Sequence, residues 1–332
     1  MNALLRLRPD NFTLTLIGTV TLASILPARG WAVPILDWVT IFAIALMFFL
    51  HGARLSRDAV MAGIVHWKLH LLILACTFIL FPLCGLALSR GLPGLLSPPL
   101  WLGVLFVCAL PSTVQSSIAF TSIARGNVPA AICAATASNL LGIFITPVLV
   151  GLLLSLHGSG ISVNEIWKIF LQLLAPFIAG HLLRPWIGDW AARNRKLLSY
   201  TDRGSILLVV YTAFSEAVIQ GIWQQLPISR LLILVLVNAV ILAAILAFTT
   251  YGSRLLGFRK ADEIAIVFCG SKKSLASGIP MANVLFAGSA IGMTVLPLMI
   301  FHQMQLMVCA VLARKYAERA DAQPVAEPVT AS

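Results

Sequence analysis

Two adjacent lysines, Lys272 and Lys273, lie within an almost wholly apolar part of the chain. A lysine at the centre of a membrane-spanning helix costs about 2.5–3.5 kcal/mol on insertion scales, so two neighbouring ones need partners inside the protein. Gly270, Ser271 and Ser274 around them are poor helix-interior residues. The pattern predicts a helix that unwinds at membrane depth, which is tolerated only where the unwound backbone faces protein or a water-filled cavity.

The composition predicts a membrane protein built from helices. Of 332 residues, 59% are hydrophobic and 11% are charged, which is more apolar than a single soluble core requires. Unbroken apolar runs such as 231–248 lack the alternation of a transmembrane β-strand. The predicted fold class is therefore an all-α polytopic protein in the lipid bilayer.

The distribution of charges, cysteines and histidines indicates which ligands and partners are not expected. The net charge of +11 is carried by short loops, where it indicates membrane topology, so no nucleic-acid partner is expected. The six cysteines lie in apolar runs without a C-x-x-C pair, and no histidine spacing is typical of a catalytic metal site. We expect no cofactor, and no metal beyond a coupling ion, Na⁺ or H⁺.

Ten apolar segments are predicted to span the membrane, and the first two are short for a span. Their approximate bounds are 12–26, 34–50, 69–88, 100–122, 128–154, 166–187, 205–223, 229–250, 262–286 and 289–313. We expect residues 1–316 to form a single transmembrane unit. The polar residues 317–332 are expected to form a disordered cytoplasmic tail.

The distribution of lysine and arginine predicts the orientation. With a cytoplasmic N-terminus and ten spans, 17 of the 23 lysines and arginines lie on the cytoplasmic side and four on the opposite side. Lys272 and Lys273 account for the remainder. Because cytoplasmic loops are enriched in basic residues, both termini are expected in the cytoplasm.

The ten spans divide into two halves of five. The fourth is interrupted by LPSTVQSS at 110–117 and the ninth by CGSKKS at 269–274. These breaks lie about 158 residues apart, close to the roughly 154 between the starts of spans one and six. Since an odd number of helices inverts the second copy, we predict an inverted repeat, with repeat 1 at about 11–155 and repeat 2 at about 165–314.

Interrupted helices expose carbonyls, amides and helix-dipole ends, which can coordinate a cation and an anion where water is scarce. Polar residues near the breaks and on spans five and ten are therefore the candidate ion- and substrate-binding residues. They are Ser112, Thr113, Gln115, Ser116, Ser117, Thr136, Ser138, Asn139, Gly270, Ser271, Lys272, Lys273, Ser274, His302 and Gln303.

Several of these residues have a structural alternative. Serine and threonine in membrane helices often mediate packing or bond back to their own helix. Pro111 is compatible with a simple kink. Glu216 on span seven is a proton-relay carboxylate, a carboxylate paired structurally with a neighbour, or one that lies near the outer interface. His302, Gln303 and Gln305 could reach the same cavity, although a lone intramembrane histidine is more often a packing residue.

Three stretches of the chain resemble the bile acid:sodium symporter family. They are IARGNV at 123–128, GSKKSLA at 270–276 and FHQ at 301–303. The similarity covers about residues 5–316 and is greatest with a bacterial branch of uncharacterised symporters, which has a vertebrate relative implicated in calcium handling. G-S-K-K-S-L-A-x-G-I-P-M-A is the most specific motif.

The resemblance implies a ten-helix fold with a core domain and a panel domain, in which the fourth and ninth helices break and cross. It also implies that sodium binds at the crossing and that organic anions move through the cleft between the domains. By position, Gln115–Ser117 would match the first break and Gly270–Ser274 the second. His302 with Gln303 would be a polar pair that faces the cleft.

The ninth-helix break departs from that pattern. Sodium-binding members have a glutamate and a glutamine there, whereas this chain has two lysines. One ammonium is expected to occupy the place of sodium and to donate hydrogen bonds to oxygens such as those of Gln115, Ser117 or Asn139. The other is expected to face the cleft and attract the substrate's anionic group. A buried ammonium can release its proton during a cycle, so the lysines favour proton coupling where the resemblance favours sodium.

These features predict an ion-coupled secondary transporter of a small organic anion in a bacterial inner membrane. The alternatives are a channel, which steady conductance would distinguish from a carrier, and a membrane protein that regulates ion entry through partners. No enzyme is expected, because the spans contain no nucleophile with a base and no set of metal ligands. The sequence leaves the substrate and the oligomeric state open.

Overall fold

The computed structural model of the protein describes residues 11–54, 66–155, 163–286 and 291–321. Across these ranges the regular secondary structure is helical, which confirms the predicted class. Five helices are long and apolar enough to cross a membrane by length and composition: Ala32–Arg54, Trp67–Gly91, Val128–Leu153, Ile228–Leu255 and Ile291–Arg319. The count of ten spans and the inverted repeat stay predictions.

The helices are numbered in chain order over the described residues. The first half contains α1 (Asn11–Ile25), α2 (Ala32–Arg54), α3 (Trp67–Gly91), α4 (Pro98–Ala109), α5 (Gln115–Ile123) and α6 (Val128–Ser155). The second half contains α7 (Val163–Leu182), α8 (Arg184–Arg193), α9 (Arg195–Ile219), α10 (Ile222–Gln225), α11 (Ile228–Leu255), α12 (Lys260–Gly270), α13 (Leu275–Leu285) and α14 (Ile291–Asp321).

Several helix ends differ from the approximate predicted bounds; α9, for example, starts at Arg195 rather than near residue 205. The predicted span 166–187 is wrong at its end, because α7 stops at Leu182 and a new helix, α8, starts at Arg184. Pro185 near the start of α8 has no N–H to continue the preceding helix, and proline is favoured in a first helical turn. Helix α14 also continues through residues 317–321, which we expected in the tail. The rest of that tail, 322–332, lies outside the described residues.

The described helices contact one another in two groups. Helices α1, α2, α7 and α9 form the first group, in which α2 packs along α7 and α9 packs on both α1 and α2. Helices α3 to α6 and α11 to α14 form the second group, with α4 against α14 and α12 against α3, α5 and α6. Contacts of α9 and α7 with α13 join the groups. The interrupted helices therefore lie inside the second group.

Helices α2 and α7 approach each other closely because each has a glycine at the contact. A Cβ atom added to Gly52 would collide with the carbonyl oxygen of Phe177, and one added to Gly180 would collide with that of Phe49. Small residues let helix backbones approach in this way in membranes, where packing rather than apolar burial holds helices together. These two positions therefore fix the distance between α2 and α7.

Gly52→Ala and Gly180→Ala should each lower the melting temperature of the purified protein, because α2 and α7 would have to separate. Overpacking of this kind costs about 1–3 kcal/mol. Gly204→Ala on α9 is the matched control, since a Cβ there meets nothing within 4 Å. Thermal denaturation in detergent measures the difference. Equal melting temperatures for all three variants would contradict the close approach of α2 and α7.

Candidate functional site

The two helix breaks contact each other. The break between α4 and α5 covers residues 110–114, and the break between α12 and α13 covers residues 271–274. The N–H of Ser274 donates to the carbonyl oxygen of Pro111 at 2.9 Å. Main-chain groups that have lost their helical partners therefore satisfy each other across the crossing.

Lys273 lies at the centre of this crossing, and it is fully buried (0% exposed). Its Nζ atom donates three hydrogen bonds of 2.7–2.8 Å to main-chain carbonyl oxygens, those of Thr77, Cys108 and Leu110. The ring centroid of Phe81 lies 4.0 Å from the same atom. Since an ammonium has three N–H donors, all of them are used.

The Thr77 carbonyl is available because α3 is irregular at this point. Residues 76–80 form a π-helical turn, in which the N–H of Phe81 donates to the carbonyl of Cys76 five residues earlier. The next residue, Pro82, has no N–H. Neither an α-helical nor a π-helical partner is therefore left for the Thr77 carbonyl, and Lys273 supplies the missing donor.

The other two carbonyls come from the end of α4. In a continuous helix the Cys108 carbonyl would accept from the N–H of Ser112, but that N–H donates to the hydroxyl of Ser138 at 3.0 Å. Leu110 follows the last helical residue and has an extended backbone, so its carbonyl also points out of the helix. The last carbonyls of a helix carry the negative end of its dipole. The Lys273 ammonium is thus placed where backbone alone creates a negative potential.

Gln305 holds the main chain of Lys273. Its Oε1 accepts from the Lys273 N–H at 2.8 Å, and its Nε2 donates to the Lys273 carbonyl at 2.8 Å. Nε2 also lies 2.9 Å from Nδ1 of His302, one turn earlier on α14. We expected His302 and Gln303 to face the cleft and named Gln305 beside them; Gln305 contacts the second break, and the role of Gln303, which is half-buried, stays a prediction.

Lys272 is also fully buried, but its surroundings differ. Its Nζ donates to the carbonyl of Ser116 at 2.9 Å and lies 3.9 Å from the ring centroid of Phe120 and 5.3 Å from that of Phe268. Within the described part of the chain, the Ser116 carbonyl is its one hydrogen-bond acceptor. Lys272 therefore has fewer partners than Lys273, and the two side chains reach opposite sides of the break.

The predicted environment of the lysines is wrong in two respects. We expected side-chain oxygens of Gln115, Ser117 or Asn139 as acceptors, whereas the acceptors are main-chain carbonyls. We also expected one lysine to face an open cleft, whereas both are buried. The physical reason is that broken helices offer carbonyls without donors, and these are closer to the lysines than the side-chain oxygens are.

Asn139 and the hydroxyls beside it tie the first break in place. Asn139 Nδ2 donates to the Ser112 carbonyl, and its Oδ1 accepts from the hydroxyl of Ser277 at 2.8 Å. Ser138 accepts from the Ser112 N–H, and Ser117 donates to a carbonyl at the end of α12. These contacts fit the packing alternative, because they replace hydrogen bonds that the interrupted helices lack.

The remaining candidates at the breaks make local contacts. Thr113 and Ser116 share a hydrogen bond of 2.7 Å between their hydroxyls. The Ser271 hydroxyl bonds back to its own helix, and Ser274 caps the start of α13. Gly270 is the last residue of α12. The crossing is therefore held by a dense set of hydrogen bonds.

An open cavity of about 220 Å³ lies beside the crossing, between it and helices α2 and α7. Its polar lining comprises Thr136, Asn139 and Ser277 from the second helix group, with His51 and Arg54 from α2. The rest of the lining is apolar. This cavity reaches the crossing without exposing either lysine.

A second cavity, of about 910 Å³, adjoins the first at Arg54, which lines both. Gln115 at the start of α5 is exposed to this larger cavity. Charged residues of α8 and α9 complete its wall, among them Arg184, Asp189 and Asp202. The two cavities together connect the crossing with one end of the molecule.

Arg54, at the junction of these cavities, has hydrogen-bond donors without an acceptor. Its Nη1 donates to Oδ2 of Asp202 at 2.8 Å. Its Nε and Nη2 atoms, and Oδ1 of Asp202, are buried and have no partner among the described residues. In the sequence, Arg54 is recognisable only as one of the basic residues that indicate topology. Its three-residue spacing from His51 places both on one face of α2, and this was the signal that could have identified it.

Glu216 lies away from the crossing. It lines a cavity of about 500 Å³ with Asp37, Thr40 and Asn283, and it is exposed. Its Oε1 accepts from the side chain of Gln220 one turn later. The structure therefore provides no direct contact between this carboxylate and the lysines.

Comparison with known proteins agrees with the helical architecture. Residues 10–318 match the model of the SBF-like CPA transporter family. The chain is 62% identical to "Uncharacterized protein PA2026" of Pseudomonas aeruginosa over 95% of each chain, and 59% identical to "Putative symporter YfeH" of Escherichia coli over 94% of each. It is 30% identical to "Sodium/bile acid cotransporter 7" of the rat over 94% of each chain. The chain therefore belongs to the SBF-like CPA transporter family, whose members are transporters rather than enzymes.

Proposed function

We propose that this protein is a secondary active transporter of an organic anion and that it is driven by protons. Family membership supports transport across a membrane. The main support for an anionic substrate is Arg54, whose side chain lines both cavities and is 30% exposed. Two nitrogen atoms of its guanidinium have no partner among the described residues. The surroundings of Lys272 and Lys273 support the proton as the coupling ion.

Arg54 fits a carboxylate or a similar planar anion. A guanidinium binds such groups through two parallel hydrogen bonds, and Arg54 uses only one of its nitrogen atoms on Asp202. The adjoining cavity has an apolar wall that includes Met47, Phe48 and Phe177. An organic anion with an apolar body would place its charge on Arg54 and its body against this wall.

A sodium ion at the crossing would have little to bind. Transporters coordinate sodium with carbonyls of unwound helices, and here three such carbonyls already accept from Lys273. Among the described residues no carboxylate forms an ion pair with either lysine. A further cation beside two buried ammonium groups would be repelled without compensation. The family resemblance to sodium symporters therefore does not extend to the ligands of the ion.

Lys272 is the group that we assign to proton coupling. It is buried beside aromatic rings with a single carbonyl acceptor, so its charged form is less well held than that of Lys273. A lysine in such a site can release its proton and regain it when the cavity reorganises. Lys273 would keep its charge, because three carbonyls accept from it.

The proposed architecture is the predicted one of ten spans in two inverted repeats with both termini cytoplasmic. The contact between the breaks of α4/α5 and α12/α13 supports it, because paired interrupted helices are typical of such repeats. This orientation places the larger cavity, with Arg184 and Ser199 in its wall, on the cytoplasmic side of the inner membrane.

Arg54→Gln should weaken binding of carboxylates by about 10- to 100-fold, the range expected for a charge-assisted hydrogen-bond pair. Thermal-shift titration of purified protein with a panel of organic carboxylates, each paired with its neutral amide, identifies the ligands and measures the loss. Arg203→Gln on α9 is the control, since Arg203 lies over the ring of Phe12. Equal carboxylate affinity in the wild type and Arg54→Gln would contradict the assignment.

Uptake of a carboxylate so identified, in reconstituted vesicles, should be unchanged when sodium is replaced by choline and should increase with an inward proton gradient. Lys272→Gln should abolish the response to the proton gradient, because it removes the titrating group but keeps a hydrogen-bond donor. Strict sodium dependence of the wild type would contradict proton coupling, and so would an unchanged pH response in Lys272→Gln.

A further inference from the structure

A groove of about 750 Å³ runs between α11 and α14 on the outer surface of the second helix group. Each helix lines it with residues at four-residue spacing, which share one helix face. They are Leu246, Thr250 and Arg254 from α11, and Met307, Val311, Lys315 and Arg319 from α14. The groove thus has an apolar part and, at the C-terminal ends of both helices, a basic part.

The basic end carries positive charge that the described residues do not fully neutralise. The one buried carboxylate nearby, Glu263, already accepts from Arg254 at 3.0 Å, from Lys260 at 2.7 Å and from the hydroxyl of Tyr316 at 2.8 Å. No acidic side chain in the described ranges forms an ion pair with Lys315 or Arg319. These two cations are therefore available to an external anion.

The apolar part of the groove is open to the side of the helix bundle. Val308 is 41% exposed, Val311 48% and Tyr251 63%. From Leu246 to Arg254 the groove follows α11 for eight residue steps, which corresponds to about 12 Å of helix. A small soluble anion would bury no apolar surface along this wall, whereas an acyl chain would be buried along its whole length.

We propose that this groove is a binding site for an anionic phospholipid. The phosphate group lies between Lys315 and Arg319, while Arg254, at the rim, stays paired with Glu263. An acyl chain lies along the apolar part between α11 and α14. Basic pockets between membrane helices bind anionic lipid head groups in this way. The site is separate from the crossing, so it does not depend on the proposed transport mechanism.

Native mass spectrometry of the full chain in neutral detergent, titrated with dioleoyl-phosphatidylglycerol or dioleoyl-phosphatidylcholine, tests the site. We expect the anionic lipid to bind more tightly than the zwitterionic one. Replacing both Lys315 and Arg319 with alanine should weaken phosphatidylglycerol binding about 30-fold, since each cation near a lipid head group contributes about fivefold. Arg314→Ala is the matched control: this exposed arginine is on the same helix but does not line the groove.

Ala247→Trp separates a lipid from a soluble anion. Ala247 is exposed in the apolar part of the groove, so a tryptophan there blocks the acyl chain and leaves the cations unchanged. We expect this variant to lose phosphatidylglycerol binding as well. Equal binding of the two lipids by the wild type, or the same loss in Arg314→Ala as in the double variant, would overturn the proposal. Inorganic phosphate that displaces the lipid equally from the wild type and Ala247→Trp would show a soluble-anion site instead.

Discussion

The hydrogen bonds of the Lys273 ammonium to three main-chain carbonyls are the interaction on which the rest of the structure depends. Two membrane helices are interrupted at this point, and a third contains a π-helical turn followed by proline. The π-helical turn leaves the Thr77 carbonyl without a donor, and the end of α4 leaves those of Cys108 and Leu110, which is costly in a membrane protein. A single ammonium supplies all three donors, and the carbonyls in turn stabilise a charge that would otherwise be costly to bury. Neither the lysine nor the broken helices would be stable here alone.

This arrangement explains how a chain in a family with sodium-cotransporter relatives can differ at the ion site. In the mechanism that we propose, a cation that is covalently part of the protein replaces a cation coordinated by carbonyls of unwound helices. This fixed charge keeps the breaks packed together, so it does not need to leave during a cycle. We therefore assign coupling to another titratable group, Lys272, which has one carbonyl acceptor. We assign substrate binding to Arg54, at the edge of the same crossing.

The sequence predicted the helical class and the two breaks because both are written in local composition: long apolar runs, and small polar residues around Lys272 and Lys273. It did not predict the acceptors of the lysines. The Thr77 carbonyl is free only because a π-helical turn precedes Pro82, and hydrogen-bond register within a helix is not visible in apolar periodicity. Arg54 was missed for a related reason. In the sequence, an arginine at a helix end that faces solvent looks the same as one that lines a cavity. Only the packing of α2 against α7 distinguishes these two positions.

The most direct test of the ammonium's role is the sodium dependence of the melting temperature of Lys273→Ala. Removing the side chain leaves three carbonyl oxygens around an empty volume, which sodium can occupy. We predict that sodium chloride, compared with choline chloride, stabilises Lys273→Ala but not the wild type, by the mass action of a ligand that binds the folded state. Lys272→Ala, which leaves only one carbonyl, should show no difference between the salts. A wild type stabilised by sodium, or a Lys273→Ala variant indifferent to it, would contradict the claim that this lysine stands in the place of the ion.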